Sequence, residues 1–207
     1  MKYIIMAGGV YTKWEKPRHL TVIEDETIIG RTIRLLKENG ITDIAISTNN
    51  TCFDNLGVKI LRHNNTYEAE GYNNWTGYWV DAFYPTNNPA CYIFGDVFFS
   101  PEAIKTIINT PTDDIEFFAS APPFSPDYPK SSAEPFALKV RDQAKLHDAI
   151  VRTKRLQNTG AFKRKPIMWE LWQVIKDTPI NQIDYTNYTV INDYTCDIDD
   201  PEESICR

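Results

Sequence analysis

Residues 1–20 read MKYIIMAGGVYTKWEKPRHL. The apolar run Tyr3-Ile4-Ile5-Met6 goes straight into Ala7-Gly8-Gly9, and cations follow at Lys13, Lys16 and Arg18. A short, continuous apolar run bounded by glycines has the length and composition of a strand buried on both faces. Glycines placed directly after it let backbone N–H groups approach an anion with no Cβ in the way. Lysine and arginine then neutralise the anion's charge. Two readings stand at this point: a cradle for nucleotide phosphates, and a tight surface turn with incidental charges.

The same pattern recurs downstream. Ile44–Ser47 and Val58–Leu61 read as strands, and Ala90–Phe94 is a further continuous apolar strand that runs at once into Gly95-Asp96. Between them, Ile28–Asn39 carries Ile28, Ile29, Ile33, Leu35 and Leu36 at helical spacing, with Asn39-Gly40 as its stop. Thr21-Val22-Ile23 is a short extended segment. Tyr72–Tyr84 places Trp75, Tyr78, Trp79, Ala82 and Phe83 at helical spacing before Pro85. Ser100 and Pro101 open a helix to Ile108 as cap and first residue. Ile115–Ser120 is a strand, Ala121–Ser132 a long Pro- and Ser-rich loop, and Pro135–Val140 a strand suited to an antiparallel hairpin. Leu146–Leu156 and Ile167–Ile175 read as helices, and Tyr188–Cys196 as a strand-like tail. Strands and helices alternating with short connections predict a parallel α/β sheet, whose ligand sits beyond the C-terminal strand ends. Gly8-Gly9 and Asp96 both fall at such ends.

Composition narrows the partners. A length of 207 residues predicts one domain, 1–207, with a sizeable core. Lys plus Arg number 22 against 28 Asp plus Glu, a balance of −6 that argues against general nucleic-acid binding but allows a small anionic ligand on a local cation cluster. The cysteines, Cys52, Cys91, Cys196 and Cys206, are scattered without metal-ligand or redox spacing. The opening apolar run is too short for a signal peptide, and no stretch is long enough to span a bilayer, so a reducing cytoplasm and no membrane partner are expected.

Four constellations carry candidate chemistry. The first is the N-terminal loop, with backbone amides from Gly8 to Thr12 plus Lys13 and Arg18. The second is Asp96, either a turn or cap residue or a carboxylate at the sheet edge that holds Mg²⁺. The third is Asp197-Ile198-Asp199: in an extended segment residues two apart face one side, so these carboxylates repel unless a cation lies between them. The alternative is a solvated acidic tail. The fourth is Glu68–Trp79, where Asn73 and Asn74 either orient a base or substrate or cap a helix with a buried aromatic face.

Together these residues resemble the nucleotidyltransferase family that joins a nucleoside triphosphate to a phosphorylated sugar or alcohol. Its signature, A-G-G-x-G-[ST]-[RK]-[LM] and then P-K-x-L, stands here as Ala7-Gly8-Gly9-Val10-Tyr11-Thr12-Lys13-Trp14 and Pro17-Arg18-His19-Leu20. Tyr11 takes the place of the second loop glycine, and Arg18 that of the lysine. The resemblance continues through Ile28-Ile29-Gly30-Arg31-Thr32-Ile33, Asn39-Gly40-Ile41-Thr42-Asp43-Ile44, Tyr72-Asn73-Asn74, Gly95-Asp96 and the acidic ending. The short spacer and Tyr72-Asn73-Asn74 are most similar to phosphocholine cytidylyltransferases and their capsule-pathway relatives. The spacer is also similar to that of the molybdenum-cofactor guanylyltransferase.

The resemblance implies a Rossmann-like, mixed and mostly parallel sheet flanked by helices. It implies Mg²⁺ on Asp96, Asp197 and Asp199, and transfer of an NMP group, CMP favoured, from an NTP to a small phosphorylated acceptor with release of pyrophosphate. Lys13 and Arg18 would stabilise charge in the transition state. Ala7, Gly8, Gly9, Val10, Tyr11 and Thr12, with Asn73 and Asn74, would line the nucleotide. The N-terminal half would hold the nucleotide, and residues 116–185 would choose the acceptor, with Glu134, Trp169, Glu170 and Trp172 as candidates. If that acceptor is cationic, rings and carboxylates make its natural cage. Core packing is the competing account of Trp169 and Trp172. Two other functions stand beside the enzyme: a degenerate module that binds a nucleotide without transfer, and a protein-interaction surface around Trp75 and Trp79.

Overall fold

A computed structural model of the chain describes residues 1–8, 14, 16–63, 68–69, 75–122 and 133–198. Strand β1 (Lys2–Met6) is buried from Tyr3 to Met6, as its unbroken apolar run predicts. Helix α1 (Ile28–Glu38) follows. Thr27 caps it, its hydroxyl accepting from the Gly30 N–H at 3.1 Å. Gly40, at φ +78, reverses the chain at its end, and the Ile41 N–H bonds back to the Leu36 carbonyl. The chain returns through β2 (Ile44–Ser47), β3 (Lys59–Leu61) and the fully buried β4 (Ala90–Phe94). Helix α2 (Pro101–Asn109), capped by Ser100, leads to β5 (Ile115–Ala119) and β6 (Pro135–Val140). Helices α3 (Gln143–Asn158) and α4 (Met168–Ile175) pack on each other, and β7 (Thr189–Val190) closes the sheet.

The sheet order is β7-β5-β6-β4-β1-β2-β3. β1 pairs in parallel with both β2 and β4, β2 with β3, and β5 with β7, while β6 runs antiparallel to β4 and β5. This is the mixed, mostly parallel, helix-flanked Rossmann-like sheet. Its order reverses between β1 and β4: after β1 the chain adds strands on one side, and with β4 it crosses to the other. A parallel α/β sheet opens its ligand crevice at such a switch.

One core residue breaks the apolar pattern and is explained by its partners. Lys139, in β6, is 6 % exposed. Its ammonium donates to the carbonyls of Ile107, Ile108 and Thr110 at 2.8, 2.8 and 2.7 Å. Those carbonyls end α2, where the helix dipole is negative and acceptors lack intrahelical donors. Burial lowers the Lys139 pKa, and the neighbouring Cys91 and Glu116 act in the opposite sense.

Two expectations are corrected. Of the stretch expected to be a helix over Tyr72–Tyr84, the described part, 75–84, is not one: Trp75–Thr76 pairs with Glu68–Ala69 as a short ribbon, and Trp79–Ala82 forms one 3-10 turn. Gly77, at φ +75, separates them and stops any helix running through. Trp79, half-buried, packs edge-on against Phe83 and Phe94, each at 5.8 Å. The tail is likewise not one strand. Thr189–Val190 pairs with β5, after which Asp193 turns the chain by accepting from the Thr195 N–H at 2.7 Å and the Ser100 hydroxyl at 2.5 Å. Cys196–Asp197 then pairs with Val97–Phe98 instead. Among the described residues no helix is long and apolar enough to cross a membrane.

Candidate active site

The adjoining ends of β1 and β4 are joined by a hydrogen bond from the Gly95 N–H to the Met6 carbonyl at 3.0 Å. This bond carries the β1–β4 pairing one residue past the strands, with Asp96 following directly. The Val97–Phe98 ribbon extends from there, and the C-terminal segment lies antiparallel to it, with the Ile198 N–H donating to the Asp96 carbonyl at 3.2 Å. Cys196 and Ile198 anchor that segment in a small apolar cluster with Ile23, Ile28 and Phe98. Alternation then directs Asp197 the other way. Two aspartates a hundred residues apart in sequence thus reach one place.

Arg18 meets them there. It sits on a single 3-10 turn, Arg18–Leu20, and is 5 % exposed. One guanidinium nitrogen, Nη2, donates to Asp96 Oδ2. The other, Nη1, donates to the Ile198 carbonyl at 3.2 Å and lies 3.8 Å from Asp197 Oδ1. Glu134 joins from the β5–β6 end, where its backbone N–H donates to the Ser120 hydroxyl at 2.7 Å. Its Oε2 accepts from the Asp197 backbone N–H at 3.1 Å. The site is therefore a buried cation between two carboxylates, with Glu134 on the backbone of one of them, at the point where the sheet order reverses.

His19 belongs to the same turn and was given no role by the sequence reading, although it stands inside Pro17-Arg18-His19-Leu20. It is 3 % exposed, packs edge-on against Phe53 at 5.6 Å and lies against Gly95. Burial lowers its pKa to about 4, opposed by the nearby Asp96 charge and reinforced by Arg18. With that pKa it is a neutral ring near pH 7, packed between Phe53 and Gly95. The space at Gly95 is equally demanding: a Cβ there would stand 2.6 Å from the Met6 carbonyl oxygen.

The other sequence candidates divide by position. Ala7 is buried and Gly8 half-buried at the β1 end. Gly9, Val10, Tyr11, Thr12, Lys13, Asn73, Asn74 and Asp199 lie outside the described residues, as does most of the Ala121–Ser132 loop. Trp169, Glu170 and Trp172 are on α4, every residue of which is buried. Trp169 packs on Phe117, Tyr185 and Tyr188, and Trp172 on Phe117, in line with the packing account. Glu170 Oε1 accepts from Arg164 at 2.6 Å and Oε2 from the Ile167 N–H at 3.0 Å, which makes it a helix cap. Of the four acceptor candidates, Glu134 is the one these contacts bring to Asp197.

A cleft of about 950 Å³ opens elsewhere, between α3 and residues 80–87, with Tyr84, Tyr92, Gln143 and Lys154 among its walls. None of Arg18, Asp96, Asp197 and Glu134 lines it. Its polar groups are largely engaged with one another. Tyr92 donates to the Tyr84 carbonyl at 2.8 Å, and Lys154 pairs with Asp81. Volume points to this cleft, but charge, burial and strand ends point to Arg18 and the two aspartates, and the chemistry follows the charges.

The carboxylates suit a hard divalent ion. Magnesium takes one or two carboxylates together with phosphate oxygens, and Asp96 and Asp197 already converge on one cationic group. Among the described residues no three or more His, Cys, Asp or Glu side chains gather to hold a metal by themselves, so phosphate or further ligands would complete the shell.

No protein-family model matches the chain, and no curated protein matches it. Solved structures share its fold. A Bacillus anthracis protein named as a candidate glucose-1-phosphate thymidylyltransferase matches with TM-score 0.56 and 16% identity, covering 95% of this chain and 89% of that chain. The CTP:phosphocholine cytidylyltransferase of Streptococcus pneumoniae matches with TM-score 0.53 and 16% identity over 97% and 94% of the two chains. The inositol-1-phosphate CTP transferase of T. maritima matches with TM-score 0.50 and 12% identity over 95% and 90%. At these identities the likeness is one of fold.

Proposed function

We propose that this chain is a nucleotidyltransferase that moves an NMP group from an NTP to a small phosphorylated acceptor. The observation that carries the reading is the meeting of Arg18, Asp96 and Asp197 at the adjoining ends of β1 and β4. The fold likeness and the motif resemblance support it. A phosphate oxygen of the acceptor attacks the α-phosphorus in line. A new P–O bond forms as the bond from the α-phosphorus to the oxygen bridging it to the β-phosphorus breaks, and pyrophosphate leaves. The attacking phosphate is already ionised, so the step needs no general base.

Arg18 and Lys13 offset the charge that grows on the phosphate oxygens. The backbone from Ala7 to Thr12 binds the nucleotide, Asn73 and Asn74 orient it, and Glu134 faces the acceptor side. Asp96 and Asp197, with Asp199, would hold Mg²⁺, which when bound would supply positive charge to offset that of the phosphates. CMP is the favoured group and a surface-polysaccharide or cell-envelope precursor the favoured product class, on the resemblance of the short spacer and Tyr72-Asn73-Asn74. The same spacer supports GMP as the second choice. A binding module without transfer is the competing reading, supported by Tyr11 in the glycine loop and by the engagement of Arg18 with Asp96.

The test is a thermal-shift screen of the four NTPs with Mg²⁺, followed by pyrophosphate release with a panel of phosphorylated acceptors. A ligand that binds the folded state raises its stability by mass action. Transfer with one NTP, abolished in Asp96→Ala without loss of fold, is expected. Binding without pyrophosphate from any acceptor would establish the binding module, and no shift with any nucleotide would overturn both readings.

A further inference from the structure

Arg18 is held differently from a residue kept ready for phosphate alone. Its fork donates to the Asp96 carboxylate and the Ile198 carbonyl and stands 3.8 Å from Asp197 Oδ1, and it is buried while doing so. Two of those three groups are carboxylates that a divalent ion would take. A planar guanidinium with five donors can bridge them all, whereas the compact ammonium of a lysine is a single point charge. The replacement of lysine by Arg18 in the Pro17-Arg18-His19-Leu20 motif therefore has a structural consequence: this chain carries its own cation between its two carboxylates.

We propose that Arg18 is a latch on this pair, so that a divalent ion enters with the nucleotide rather than before it. The inference rests on the nucleotidyltransferase reading and sharpens it. In the nucleotide-free protein a dication approaching Asp96 meets the positive guanidinium at contact distance, and the two cations compete for the same oxygens. Phosphate changes the balance because it offers the guanidinium an acceptor of higher charge with matching geometry. Arg18 then turns from carboxylate to phosphate, and the freed carboxylates face the metal that the nucleotide brings. The Ile198 carbonyl moves with it or releases it, which couples the C-terminal ribbon to nucleotide binding. His19, packed under the same turn against Phe53 and Gly95, keeps the backbone of the latch fixed while its side chain moves.

The experiment is a Mn²⁺ titration of the nucleotide-free protein followed by the free-ion electron paramagnetic resonance signal, with folding checked by circular dichroism. Wild type is expected to bind Mn²⁺ weakly, and Arg18→Gln about tenfold or more tightly, since it removes a full positive charge at contact distance. Adding Asp96→Asn to Arg18→Gln should abolish that gain, which places the ion on the carboxylate pair. Arg18→Lys serves if the glutamine variant does not fold, and should bind Mn²⁺ better than wild type because it spans fewer acceptors. Tight Mn²⁺ binding by wild type without nucleotide overturns the latch, as does an unchanged affinity in the folded variants. An NTP that raises the melting temperature while Mn²⁺ affinity is indifferent to residue 18 refutes the latch alone. No response to any NTP refutes the underlying function.

Discussion

Gly95→Ala should destabilise the protein by about 1 to 3.6 kcal/mol net, and the magnitude follows from three contacts. The added Cβ would lie 2.6 Å from the Met6 carbonyl oxygen, 2.9 Å from His19 Cδ2 and 3.1 Å from Ile5 Cγ2. The backbone at Gly95 is not in the left-handed region, so the requirement is space alone. An ordinary C···O contact is about 3.3 Å or more, so β1 and the Gly95 turn must part by roughly 0.7 Å. The Gly95 N–H to Met6 hydrogen bond, at 3.0 Å, does not survive that movement intact. Overpacking costs about 1–3 kcal/mol and the weakened bond about 1. The lower entropy of the unfolded alanine chain returns about 0.4–1. Urea unfolding measures the sum, with the midpoint expected to fall at an unchanged slope. Because the shift moves Asp96, the residue after Gly95, away from the Arg18 guanidinium it accepts from, the nucleotide-induced thermal shift should shrink in the same variant. A stability change within about 0.5 kcal/mol would refute the reasoning, since surface substitutions away from special features give no more.

Three further outcomes are expected. Burial lowers the His19 pKa from the ordinary imidazole value to about 4, which keeps the ring neutral near pH 7. The folded state therefore binds fewer protons, and this stability, present above about pH 6.5, is lost as pH falls through 4. The loss is about 3 kcal/mol in size, and unfolding curves across that window should lose this slope in His19→Gln. Lys139→Met removes the donor from the three carbonyls at the end of α2 and should cost about 2 kcal/mol, a drop of roughly 4–8 °C in Tm by calorimetry; an unchanged Tm would remove the capping role. Glu170→Ala should cost about 1 kcal/mol through the lost cap of α4 and leave the Michaelis constant for the acceptor unchanged. A raised constant at normal stability would instead assign Glu170 to the acceptor.

Elements whose signals are local follow from the residues alone. The runs Tyr3–Met6 and Ala90–Phe94 are apolar on both faces because a sheet covered on both sides needs them so, and both are strands. Thr27 and Ser100 cap helices, and Asn39-Gly40 stops one, through hydrogen bonds and a positive φ that span three or four residues. The misread segments failed where a long-range partner overrode local spacing. Trp75, Trp79 and Phe83 have helical spacing, but Gly77 turns the chain and the Trp79 ring joins Phe94. The tail has strand composition, but Asp193 bonds to Ser100 and bends it.

The site shows the same division. Arg18, Asp96 and Asp197 were legible one by one as a cation and two carboxylates near apolar segments. Their meeting was decided by the tertiary structure, because Cys196 and Ile198 bury beside Ile23, Ile28 and Phe98 and so carry Asp197 back to the β4 end. No periodicity in the chain encodes a contact across that many residues; it is set by which apolar surfaces are left to cover once the sheet has formed. Residue types chose the chemistry available to this protein, and packing chose which of those groups face one another.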